Sequence, residues 1–141
     1  MLKQSTSKAK TLGWTVLVLE DDMALQNIIL MQFQRSGMHV MTARSVKEAL
    51  DLLQRLPTCD VFWVDHSLLG EESGLDFVIK IKKINAWRKT PIYVVTNNDG
   101  DDKKKRYLHY LKLGIDNYLT KYDHELKEIV QMIKKDIQKI H

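Results

Sequence analysis

Cysteine and proline are scarce in this 141-residue chain, which has one Cys and two Pro. The single thiol, Cys59, cannot form an internal disulfide, so the fold must stand without staples, as suits a reducing compartment. With Asp60 beside it at an expected strand start, Cys59 reads as a small buried or half-buried residue. No apolar stretch approaches the ~20 residues of a membrane span, which argues against membrane insertion. Lys3, Lys8 and Lys10 precede no apolar segment of their own, so residues 1–13 are not a signal peptide. They read as a loose arm before a domain at 14–141. Internal repeats, low-complexity tracts and linkers are absent as well. The net charge of +4 is too small to indicate nucleic-acid binding.

What is present is a globular composition, 44% hydrophobic and 28% charged. A single domain of this length buries roughly 68% of its unfolded surface, enough for a core. The densest basic run, Lys103-Lys104-Lys105-Arg106, reads as a solvated helix face. Asp101 and Asp102 before it complement the helix dipole. A docking patch for an acidic partner is the other reading of that run.

Strand and helix patterns alternate from end to end. The runs Val16-Leu17-Val18-Leu19, Val61-Phe62-Trp63-Val64 and Ile92-Tyr93-Val94-Val95 are continuous rather than alternating. Continuous runs mark strands covered on both faces, hence a parallel sheet between two helical layers. Met38 to Ala43 and Asn117 to Thr120 supply two further strands. The expected helices carry Leu25, Ile28, Ile29 and Phe33; Ala49, Leu50, Leu53 and Leu56; Leu75, Val78, Ile81 and Ile84; Tyr107, Leu108 and Leu111; and a last stretch from Leu126 to Ile140. Gly37, Pro57 and Gly114 end three of them. Ser45 to Glu48 reads as a capping box, and Asn97 to Gly100 as a turn. Five βα units with right-handed crossovers fit a flavodoxin-like doubly wound sheet of order 2-1-3-4-5, an order already known for this architecture, with helices on both faces. Ligands of such sheets bind at the carboxyl ends of the strands, at the switch point between the first and third.

The strand ends carry the chemistry. Glu20 and Asp21 close the first strand, Asp65 the third, Thr96 the fourth, and Lys121 follows the fifth. If the strands share one sheet, three acids, a hydroxyl and an ammonium meet at one edge. Crowded carboxylates repel, and a hard cation with oxygen ligands relieves them. An ammonium and a hydroxyl opposite suit a phosphoryl group, whose transfer depends on positioning and charge neutralisation.

These stretches, with Glu20-Asp21-Asp22, Ser73-Gly74-Leu75, Pro91 to Thr96 and Gly114 to Lys121 in order, resemble the receiver domains of bacterial two-component response regulators. The resemblance spans about residues 14 to 140. It implies that Asp65 accepts a phosphoryl group from a histidine kinase or phosphotransfer protein. Glu20, Asp21, Asp65 and the Ser67 backbone carbonyl would hold Mg²⁺. Thr96 and Lys121 would contact the phosphoryl oxygens, and Thr96 and Tyr118 would form the switch that alters a surface read by a downstream protein target. A cytoplasmic location goes with this reading. The resemblance also implies that Ser67 and Asn98 would tune the lifetime of a phosphorylated state. Departures from the family pattern are Leu69 for proline, Asn97 for a small residue, and longer segments at Gly70-Glu71-Glu72 and from Asn97 to Asp102. Tyr122 replaces the proline after the lysine. A non-proline cis peptide costs about 3 kcal/mol or more, so Lys121-Tyr122 is expected to be trans.

Two other functions compete. One is a phosphorylation-independent interaction module of the same fold, motivated by Asn97 and Tyr122. The other is a phosphatase of the haloacid dehalogenase type, but Ser67 stands where that family has a second Asp, so a multiple-turnover enzyme is not expected. His66 reads as a loop residue rather than a metal ligand. Only a few residues follow the fifth βα unit here, so direct DNA binding through a helix-turn-helix on this sequence is not expected, whether or not it is part of a longer regulator.

Overall fold

In the computed structural model, residues 13–56, 58–97, 102–121 and 124–141 are described. The elements alternate as expected: β1 (Thr15–Leu19), α1 (Met23–Arg35), β2 (His39–Ala43), α2 (Val46–Arg55), β3 (Val61–Val64), α3 (Gly74–Lys82), β4 (Ile92–Thr96), α4 (Lys103–Lys112), β5 (Asn117–Thr120) and α5 (Leu126–Ile140). The sheet is wholly parallel, in the order β2-β1-β3-β4-β5. Residues 1–12, Pro57, Asn98 to Asp101, Tyr122 and Asp123 lie outside the described residues. So do the Lys121-Tyr122 peptide and most of the Asn97–Gly100 turn.

Every residue of β3 and β4 is buried, because helices cover both faces. The two faces have separate cores. Leu17, Leu19, Phe62, Val64, Ile92 and Val94 face α2 and α3 with Phe77, Val78 and Ile81. Val16, Val18, Val61, Trp63, Tyr93 and Val95 face α1 and α5 with Ile29, Phe33, Ile129 and Ile133. Successive residues of one strand point to opposite faces, so each strand feeds both cores.

Some expected core residues lie outside. Ile28 is exposed on α1, and Gln26 takes the buried position instead. Ile84 lies beyond the end of α3 and is exposed, as is Ile140 at the end of α5. On α4, Tyr107, Leu108 and Leu111 are all exposed, and the helix buries Tyr110. The Ser45 hydroxyl caps α2 as expected. Glu48 completes the cap on the Arg44 N–H, one residue earlier than a capping box requires, at 2.7 Å.

Candidate phosphoryl-acceptor site

The register brings the five groups together. Leu19 pairs with Val64, and the Asp65 N–H donates to the Leu19 carbonyl at 3.0 Å, so Glu20 and Asp65 emerge side by side. Thr96 pairs with Thr120, and the Lys121 N–H donates to the Thr96 carbonyl at 2.9 Å. A cavity of about 330 Å³ opens at this edge, lined by Glu20, Asp21, Asp65, Ser67, Thr96 and Lys121. Asn97 also lines it, and Leu25 of α1 forms part of its wall.

Lys121 organises the floor. Its Nζ donates to Glu20 Oε1 at 2.7 Å and to Asp65 Oδ2 at 2.9 Å. Both carboxylates are almost wholly buried, and Lys121 is 13% exposed. Removing Lys121 would leave two buried carboxylates without a counter-charge. Burial and the nearby charge of Asp65 push Glu20 up to about 7, against the pull of Lys121 and of the Asp22 N–H on its other oxygen. Burial also opposes the charge of Lys121, but the bonds to Glu20 and Asp65 outweigh it and raise its pKa. A cation bound through Glu20 would therefore compete with a proton for its carboxylate near neutral pH.

Glu20, Asp21 and Asp65 each offer an oxygen within 4.8 Å of the others. An all-oxygen donor set with its own negative charge suits a hard divalent cation such as Mg²⁺. Thr96 is 3% exposed at the end of β4. Tyr118 is half-buried on β5, with its ring 5.0 Å from that of Tyr107 and 5.7 Å from that of Tyr110. An apolar hollow of about 300 Å³ lies between Tyr107 and Tyr118, rimmed by Lys103 and Lys104. The Nδ1 of His66 lies 2.7 Å from the Tyr110 hydroxyl.

Other residues hold these strand ends in place. Asp22 caps α1 by accepting from the Leu25 N–H at 3.1 Å. Gln26 donates from Nε2 to the carbonyls of Glu20 and Ala43, at 3.0 and 3.2 Å, tying the ends of β1 and β2 together. Arg44 Nε donates to the Asp21 carbonyl at 3.0 Å. The Arg44 carbonyl in turn accepts from the Leu69 N–H at 2.9 Å, and Ser45 bridges to Leu69. Proline at 69 would lack that N–H. Ser73 and Asp76 form a full capping box at the start of α3. A Cβ on Gly74 would lie 2.2 Å from the Asp65 carbonyl oxygen, so only glycine lets α3 begin there.

This fold and edge define a receiver: residues 16–134 match the model of the response regulator receiver domain, and the chain belongs to that family. Among proteins of known role it is similar to chemotaxis protein CheY1 of Helicobacter pylori (strain J99), 30% identical over 107 residues, or 75% of this chain and 83% of that one. Among solved structures it resembles the Francisella response regulator 1452 receiver domain, 25% identical, with a TM-score of 0.77 over 92% of this chain and all of that one. The Mn²⁺-bound response regulator Rcp1 shares the fold at 21% identity, with a TM-score of 0.72 over 86% of this chain and 91% of that one. The chain therefore carries a receiver domain of two-component signalling, similar to chemotaxis regulators. No helix among the described residues is long and apolar enough to cross a membrane.

Proposed function

We propose that residues 14–141 form a phosphoryl-accepting switch with Asp65 as acceptor, loaded by a histidine kinase or phosphotransfer protein in the cytoplasm. The observation that carries the reading is Lys121 Nζ held between Glu20 and Asp65, joining groups 101 and 56 residues apart in sequence. Glu20, Asp21, Asp65 and the Ser67 carbonyl are suited to hold Mg²⁺, which when bound supplies positive charge for the transferring phosphoryl oxygens. The Mn²⁺ of the similar Rcp1 structure is in keeping with such a cation.

In the transfer, an Asp65 carboxylate oxygen attacks phosphorus and the P–N bond to the donor imidazole breaks. The departing nitrogen keeps the bonding pair and takes up a proton. Lys121 pairs with the phosphoryl oxygens, and the Thr96 hydroxyl turns toward them. The Tyr118 ring follows Thr96 and alters the α4–β5 surface, where the hollow beside Tyr107 receives a downstream protein. The chain takes one phosphoryl group and holds it, rather than turning over a small substrate.

Acetyl phosphate with Mg²⁺ tests this directly. The intact mass should rise by one phosphoryl group in the wild type and stay unchanged in Asp65→Asn. A wild type that gains no Asp65-dependent mass would refute the reading. Asn97 stands at the cavity where the family usually has a small residue. Partner binding indifferent to beryllofluoride would therefore favour a phosphorylation-independent interaction module.

A further inference from the structure

His66 is the residue after Asp65, yet its side chain leads to a different part of the molecule. Nδ1 is 2.7 Å from the hydroxyl of Tyr110, and the two rings meet edge to face at 5.8 Å. Tyr110 is fully buried and is the residue through which α4 enters the core. A buried phenol hydroxyl requires a hydrogen-bond partner, and His66 supplies it. The pairing spans 44 positions of sequence and joins the loop after β3 to α4, with α3 and β4 between them.

The peptide around His66 is held from two sides. Its carbonyl accepts from the Gly74 N–H at 2.8 Å, which fixes it to the first turn of α3. Its ring is fixed to α4 by Tyr110. His66 itself stands between Asp65 and Ser67, so both anchors act on the segment that carries them. Beyond Tyr110 the contact continues to the ring of Tyr118 and then to exposed Tyr107.

We infer that Tyr110 is a positioning residue: through His66 it sets the acceptor segment 65–67 against α4, and the same bond carries changes at Asp65 into α4. The second half follows from the first, because coupling between two sites acts equally in both directions. This route reaches α4 from the acceptor peptide directly. It runs beside the path through Thr96 and Tyr118 rather than along it, and it rests on Asp65 being the acceptor.

The test uses the full chain, beryllofluoride with Mg²⁺ as the probe, and amide NMR shifts of residues 103–112 as the readout. Tyr110→Phe removes one oxygen and keeps the ring; His66→Leu removes the partner and covers any case in which the first variant folds poorly. Each should lower the apparent beryllofluoride affinity about fivefold, the smaller end of allosteric coupling. Each should also reduce the saturated α4 shifts to about half or less, and the double variant should do no worse than either single one, as expected of a shared interaction. A structural role alone would lower the melting temperature but leave the saturated α4 shifts as in the wild type. That result, or additive losses in the double variant, overturns the coupling while Asp65 still binds the probe. A wild type that binds no beryllofluoride overturns the acceptor reading itself, and the coupling with it.

Discussion

Cation affinity at this site should depend steeply on pH near neutrality, and Glu20 is the reason. Burial and Asp65 raise its pKa to about 7 from an ordinary 4.5. The cation needs the ionised carboxylate, so protonation competes with binding. The fraction of Glu20 ionised is about nine-tenths at pH 8, one-half at pH 7 and one-eleventh at pH 6, by the ordinary titration relation. Mg²⁺ affinity should therefore fall about tenfold from pH 8 to pH 6, roughly 1.4 kcal/mol. With a pKa of 4.5 the same interval would change affinity by only about 3%. Calorimetric titration with Mg²⁺ measures this directly. At pH 7, repeating it in buffers of different ionisation enthalpy should show about half a proton released per ion bound. Affinity that is flat between pH 6 and pH 8, with no proton release at pH 7, would refute the reasoning. The same linkage has a stability sign. A carboxyl whose folded pKa is raised penalises the metal-free fold above pH 7, and that penalty disappears as pH falls toward 4.5. Glu20→Gln should thus abolish Mg²⁺ binding without lowering the metal-free melting temperature.

Lys121→Met removes the cation between two buried carboxylates and should cost about 3 kcal/mol at pH 8, with the loss shrinking toward pH 6 as Glu20 takes up a proton. Chemical denaturation at the two pH values checks it. Gly74→Ala puts a methyl 2.2 Å from the Asp65 carbonyl oxygen. Overpacking of about 3 kcal/mol or more is expected, seen as a fall of roughly 10 °C in melting temperature together with loss of acetyl phosphate labelling. Arg44→Ala frees the Asp21 carbonyl and should weaken Mg²⁺ binding about tenfold, as removal of an outer-sphere support does, while costing only about 1 kcal/mol of stability.

The sheet and the acids were legible in the sequence for one physical reason. A parallel strand covered on both faces must be apolar throughout, so the first polar residue after each run marks the strand's end and the site's edge. Glu20, Asp65 and Thr96 each follow such a run. The helices were less legible because periodicity shows that a stripe is apolar, not which way it faces. On α4 the residues Tyr107, Leu108 and Leu111 form an apolar stripe, yet Tyr110 is the one buried. Partners such as His66 with Tyr110, or Arg44 with Asp21, are set by loop geometry and leave no local pattern. Asn98 and Tyr122 lie outside the described residues.

Gly74 presses α3 against the Asp65 carbonyl with no room for a side chain, while its N–H holds the next carbonyl. The backbone under Asp65 thus has no slack toward α3 and serves as mechanical ground. Under the proposed function, charge and bulk added to the Asp65 side chain would not be absorbed by retreat of its own main chain. They would press instead on what surrounds the carboxylate, namely Lys121, Thr96 and, through the His66 ring, Tyr110. The stiffness of one glycine contact would then direct movement begun at Asp65 toward β4, α4 and β5 rather than toward α3.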